Sequence, residues 1–206
     1  MTLATEIASS LFEIKAVQIK SDCSFTWTSG IKSPIYCDNR LTLAYPAIRK
    51  KICTGFVESI KQLKLQPDVI AGCATAGIPH AAWLAEQLEL PMAYVRGKAK
   101  AHGKGNQIEG RIESGQKVIV IEDLISTGGS ALEAVRAIQA IGAEVVSVLA
   151  IFSYGLTKAQ QAFAKVGVPC YTLTDFDQLI HFLKLNQTLT PEEGVQLLSW
   201  RDQLGQ

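Results

Sequence analysis

The sequence predicts an α/β fold with a mainly parallel sheet flanked by helices, and three stretches carry the prediction. Val118 to Ile121 is a run of four apolar β-branched residues with the composition of a strand buried on both faces. Asp68-Val-Ile-Ala-Gly72 reads as a second, shorter buried strand, and Val145 to Phe152, with Ser147 inside it, as a third. Helical stretches fall between them, and strands alternating with helices build a parallel sheet covered on both sides.

Taken in order, Ala4 to Lys20 has apolar residues at Ile7, Leu11, Ile14 and Val17, a spacing that predicts an amphipathic helix. Ser24 to Arg40 alternates aromatics and hydroxyls and is broken by Ser29-Gly30 and Ser33-Pro34, which favours a hairpin. Pro46 to Leu63 is helical, with Pro46 tolerated in the first turn. The strand Asp68 to Gly72 runs into the small-residue loop Cys73-Ala-Thr-Ala-Gly-Ile-Pro-His80 and the helix Ala81 to Leu88. His80, just inside that helix, reads as a satisfied structural histidine rather than a catalytic one.

Met92 to Arg96 is the next strand. After it, Arg96 to Gly105 holds four cations, one histidine and three glycines, spaced unlike a P-loop or a dinucleotide fingerprint. Such a run is a solvated loop, and a lid must be both solvated and flexible. A last strand is expected at Cys170 to Leu173, with helices at Thr157 to Lys165, Asp175 to Leu185 and Pro191 to Trp200. No repeat, low-complexity tract or Pro/Ser-rich linker divides residues 1–206, which read as one domain.

Composition removes several classes of function. A net charge of +1 gives no bulk electrostatic reason to bind nucleic acid or an anionic membrane. No apolar run approaches a membrane span, and the N-terminus lacks a basic stretch leading into an apolar one. Cys23, Cys37, Cys53, Cys73 and Cys170 are scattered, odd in number and without a CxxC pair. That points to reduced thiols in a cytoplasm rather than to a disulfide framework or zinc site. His80, His102 and His181 also lack metal-ligand spacing.

The chemistry concentrates in Val118 to Ser130. Two carboxylates, Glu122 and Asp123, follow the apolar run where the strand should emerge. Ser126, Thr127, Gly128, Gly129 and Ser130 then open the helical stretch Ala131 to Ile141. Glycines let backbone N–H groups approach an anion, and a helix N-terminus favours negative charge, so the loop suits a phosphate. The acids would repel that phosphate. They make sense if they hold a ribose diol, or a magnesium ion carried by a diphosphate.

This stretch resembles the phosphoribosyl diphosphate (PRPP) signature of the type I phosphoribosyltransferases. The loop from Cys73 to His80 resembles that family's diphosphate-binding loop. Phe25-Thr, Ser29-Gly30 and Lys32-Ser-Pro34 are similar to the hood segment of the orotate phosphoribosyltransferases, and Arg96, Lys100, His102 and Gly103 to their catalytic loop. The resemblance implies the type I fold with a small N-terminal hood, mainly from residues 1–45. It also implies a magnesium-dependent reaction of PRPP with orotate, and a homodimer whose 98–105 loop acts in the neighbouring subunit.

Roles follow from the resemblance in the same way. Asp123, Lys100 and His102 are the expected catalytic residues. Glu122 and Asp123 would hold the ribose hydroxyls, Leu124 and Ile125 continue the PRPP signature, and Ser126 to Ser130 would cradle the 5′-phosphate. Arg96, Lys100 and His102 would meet the departing diphosphate, and His102 could protonate it. Ser126, Tyr36 and Lys32 are the expected orotate contacts, and no side chain is expected to bind magnesium directly. Four positions depart from the pattern: Thr28, Ala76, Gly97 and Tyr154 stand where basic residues are common in the family. Lys98 or Lys32 would have to compensate. Transfer to another base is the nearest rival, opposed by the hood segment. A PRPP-sensing regulator is a second, and the near-neutral chain leaves no room for the DNA-binding module it would need.

Overall fold

The apolar runs become the centre of a six-stranded sheet in a computed structural model that describes residues 2–20, 24–26, 32–97 and 107–204. In chain order the strands are β1 (Val17–Ile19), β2 (Phe25–Thr26), β3 (Lys32–Ser33), β4 (Ile35–Cys37), β5 (Val69–Cys73), β6 (Met92–Val95), β7 (Ile108–Glu109), β8 (Lys117–Ile125), β9 (Glu144–Ser153) and β10 (Cys170–Asp175). The helices are α1 (Leu3–Glu13), α2 (Pro46–Gln62), α3 (Gly77–Leu88), α4 (Gly129–Gln139), α5 (Thr157–Val166), α6 (Phe176–Leu185) and α7 (Pro191–Gln203). A short 3-10 helix, Asn39–Ala44, links β4 to α2.

The sheet order is β10-β9-β8-β5-β6-β7, parallel except for the pairing of β7 with β6. The strand order reverses between β5 and β8. The chain builds outwards from β5 to β6 and β7, then returns to the other side of β5 for β8, β9 and β10. In open α/β sheets the crevice at such a reversal, beyond the carboxyl ends of the strands, is where ligands bind.

Alternation along β8 sets the two halves of the core. Ile119 and Ile121 face Ile7 and Leu11 of α1, Phe56 of α2 and Leu84 of α3, all buried. Val118 and Val120 face Val135 and Ile138 of α4 and Phe163 of α5. Helix ends carry local stop and start signals. The Asp175 side chain accepts from Gln178 N at 2.8 Å to begin α6, and Thr190 and Glu193 form a capping box at α7. Among the described residues no helix is long and apolar enough to cross a membrane.

Two expectations need correction, and one strand went unread. The first helix ends at Glu13 rather than running to Lys20, because Lys15 adopts a left-handed φ of 59° and Val17 starts a strand paired with Cys37. Val17 is buried by that pairing, so it mimics helical spacing without being helical. The central strand does not stop at Ile121: β8 runs to Ile125, placing Glu122 and Asp123 inside its last turns of pleat. The two-residue β7 had no apolar run to announce it.

The first helix packs on α6 and β10 as part of the layer covering the sheet. The small antiparallel pairs β1–β4 and β2–β3 stand apart from the main sheet. The tip of the second pair, residues 27–31, lies outside the described residues.

Candidate active site

Two loops meet at the strand-order reversal. The loop after β5 contains a cis peptide between Ala74 and Thr75 and leads into α3 at Gly77. A Cβ at Gly77 would collide with the carbonyl oxygen of Ile121, so glycine lets α3 start directly against β8. The loop after β8 leads into α4 through Gly128, whose φ of 81° is left-handed. A cleft of about 150 Å³ lies there, lined by Glu122 and by the segment from Leu124 to Ala131. The sequence-predicted residues Ser126, Thr127, Gly128, Gly129 and Ser130 thus come together at the N-terminus of α4, where the partial positive charge favours an anion.

Glu122 and Asp123 stand at the inner wall of the crevice. Glu122 is 6% exposed, and the backbone amide of Asp123 donates to its Oε1 at 3.0 Å. Burial, and then the neighbouring Asp123 charge, push the Glu122 carboxyl well above the usual carboxylate range. Burial raises Asp123 as well, against the pull of nearby Arg40. Next to Glu122 the thiol of Cys73 is pushed up by burial and then by that carboxylate. Two acids held in this way favour a partner that donates hydrogen bonds or carries positive charge.

The end of β4 and the start of the 3-10 helix approach Asp123 from the other side. The carbonyl of Asp123 accepts from Asn39 Nδ2 at 2.7 Å. Arg40 is fixed by Asp38 through Nε–Oδ1 at 2.6 Å and Nη2–Oδ2 at 2.9 Å. Tyr36, 38% exposed, stacks on Phe25 with ring centroids 5.8 Å apart, and Lys20 Nζ lies 4.9 Å over the Phe25 ring. Lys32 donates to Thr26 Oγ1 at 3.0 Å across β2 and β3. Tyr154, buried at the end of β9, has its phenol pushed up by burial and by the proximity of Cys37, Tyr36 and Asp123. Its carbonyl accepts from Arg201 Nη1 at 3.4 Å.

Arg96 follows directly on β6, with its amide donating to Gln107 O at 2.8 Å and its guanidinium 3.6 Å from Glu109 Oε1. Lys100, His102 and Thr28 lie outside the described residues. Of the departures from the family pattern, Ala76 caps α3, and a Cβ at Gly97 would meet no atom within 4 Å among the described residues. His80 is 2% exposed, and burial, then Arg49, lowers its pKa to about 4. Its Nε2 lies 3.4 Å from Thr42 Oγ1, while Nδ1 has no partner among the described residues. It is a neutral core histidine, only half satisfied.

Sequence reasoning missed Asn39 and Arg40 as site residues: the partner of Asn39 lies 84 positions away, and the Asp38–Arg40 pair reads locally as an ordinary surface ion pair. Among the described residues no group of three His, Cys, Asp or Glu side chains is placed to hold a metal ion. A larger cleft of about 510 Å³ between α5 and β10 has no charged side chain in its lining and borders the anion loop only at Ile125. The chemistry belongs to the smaller cleft.

Comparison with known proteins agrees with this geometry. The model of the phosphoribosyl transferase domain family matches residues 43–177. The chain is 55% identical over 201 residues to an orotate phosphoribosyltransferase of Listeria monocytogenes serotype 4b, covering 98% of this chain and 96% of that one. It is 57% identical over 198 residues to the orotate phosphoribosyltransferase of Streptococcus pneumoniae serotype 4, covering 96% and 94%. The crystal structure of orotate phosphoribosyltransferase from Aeropyrum pernix superposes with a TM-score of 0.77 at 28% identity, over 87% of this chain and 98% of that one.

Proposed function

Since the chain belongs to the phosphoribosyltransferase family, and within it to the orotate phosphoribosyltransferases, we propose how its own residues carry out the transfer. The reaction joins N1 of orotate to C1 of PRPP, giving orotidine 5′-monophosphate and diphosphate in pyrimidine biosynthesis. The new C1–N1 bond forms as the C1–O bond to diphosphate breaks; the leaving oxygen takes that electron pair, and the proton of N1 is lost to solvent. The substrate supplies the nucleophile, so the protein's tasks are to position, to neutralise charge and to exclude water.

The observation that carries the assignment of roles is the acid pair beside the anion loop. Glu122 is buried and Asp123 mostly so, and both are raised in pKa, so hydroxyl donors are favourable partners for them. Glu122 and Asp123 would accept from the ribose hydroxyls, with Asp123 nearest the reacting carbon. The loop from Ser126 to Ser130 would bind the 5′-phosphate through amides and hydroxyls. Magnesium fits this donor set as an ion brought by the diphosphate, whose charge it would neutralise. Arg96, Lys100 and His102 would meet the departing diphosphate, and His102 would give it a proton. Tyr36, Ser126 and Lys32 would face the base. A homodimer in which the 98–105 loop serves the neighbouring subunit completes the reading.

Orotate consumption, followed with PRPP in the presence and absence of a divalent cation, tests the whole scheme. Turnover without PRPP, or undiminished turnover with a chelator, would overturn it.

A further inference from the structure

We infer that Asn39 is a positioning residue for the reaction, setting the place of Asp123 from the other side of the crevice. The ladder between β5 and β8 ends at the pair Gly72 and Ile121. Asp123 lies two residues beyond it, where β5 has already turned away into the loop before α3. At this strand end its carbonyl takes a side-chain donor, the Asn39 amide, at 2.7 Å. A hydrogen bond of this kind fixes the peptide plane, and the peptide plane fixes the direction of the adjoining carboxylate.

Asn39 is itself held firmly. It is fully buried, and its own carbonyl accepts from Thr42 Oγ1 at 2.6 Å. The same hydroxyl lies 3.4 Å from His80 Nε2 on α3. A chain of buried polar groups therefore runs from Asp123 through Asn39 and Thr42 to the helix that follows the diphosphate-loop segment. Two members are incompletely satisfied: among the described residues neither Asn39 Oδ1 nor His80 Nδ1 has a hydrogen-bond partner. A buried amide oxygen left unpaired costs free energy, a cost set against the bond that the amide N–H gives the Asp123 carbonyl. The N–H group of Asn39 is the part with a task.

This inference rests on the reading that the Asp123 carboxylate meets PRPP, and a double-mutant cycle separates the two. Asn39→Leu keeps the volume and removes the donor; Asn39→Ala removes both. Each is expected to lower kcat/KM for PRPP about tenfold, to leave the KM for orotate within about twofold of the parent, and to leave an intact cooperative melt in at least the Leu variant. Added to Asp123→Asn, which is itself expected to be impaired, Asn39→Leu should cost less than a further twofold, because contacting residues that act through one another are non-additive. Independent, multiplicative losses would overturn the positioning role while leaving that of Asp123 intact. An unimpaired Asp123→Asn enzyme would remove the premise and the inference together. Equal rises in KM for both substrates, in step with a lowered melting temperature, would make Asn39 a purely structural residue.

Discussion

The amide of Asp123 donates to the carboxylate of Glu122 at 3.0 Å, so two neighbouring acids are bound together at the end of one strand. The bond holds them as one unit facing the crevice, and it makes the contribution of each separable only by substitution.

Asp123→Asn should lower kcat/KM for PRPP at least about tenfold, equivalent to roughly 1.4 kcal/mol of transition-state stabilisation. A chelator should abolish the activity of the parent enzyme, and added magnesium should restore it. Steady-state kinetics of the two proteins over a magnesium titration decides the matter.

The acid pair also sets a dependence of stability on pH. Both carboxyls are raised in the fold, so their neutral forms are the favoured ones. The folded state then holds more protons than the unfolded chain, and stability falls as pH rises through the interval above the ordinary carboxylate pKa. Ligand-free protein should lose more than about 1 kcal/mol between about pH 5 and about pH 8 through Glu122. Glu122→Gln should flatten that slope, as measured by urea denaturation at a series of pH values. A parent whose stability rises over the same interval, with the variant parallel to it, would contradict the expectation.

Gly128→Ala places a side chain on a left-handed residue, with the new Cβ 2.9 Å from Phe163 Cε2. The backbone conformation alone costs about 1 to 2 kcal/mol. Denaturant midpoints should show that loss, and the KM for PRPP should rise severalfold while the KM for orotate stays put.

Lys100 lies in the cationic segment assigned to a neighbouring subunit's site. An inactive Lys100→Ala chain mixed with an inactive Asp123→Asn chain should recover part of the activity once subunits exchange. No recovery, with exchange demonstrated by differently tagged chains, would keep the segment within its own subunit.

Orotate carries a carboxylate that uracil lacks, and a pocket built to bond a polar group rejects its absence by about ten-thousandfold. Relative kcat/KM for the two bases should reflect that. Ser126→Ala should raise the KM for orotate more than that for PRPP; an effect confined to PRPP would move Ser126 out of the base site.

The fold was legible where burial wrote it into composition. Val118 to Ile121 has no polar residue and no alternation, which only a doubly covered strand requires, and it became the middle of β8. The glycine-rich loops were equally plain in composition, although Gly128 answers to a local left-handed backbone and Gly77 to the close approach of Ile121, 44 residues on. The first helix was misjudged because Val17 sits at helical spacing while being buried by Cys37, twenty residues on. Asn39 was invisible for a similar reason: the group it serves is 84 positions away, and an asparagine after a strand is ordinarily a turn former.

Arg96 and Gln107 share a hydrogen bond beyond the Val95–Ile108 rung, so residues 97–106 leave and return at one point on the sheet edge. Covalent geometry alone limits ten residues joined to those two ends to a reach of about five residue lengths, roughly 17 Å. The length of this segment is therefore a ruler. An anion that its cations are to serve must lie inside that radius, and deleting a pair of uncharged residues would draw the limit in by about 3.4 Å without altering any charge. Chain length thus limits the choice of site alongside residue type.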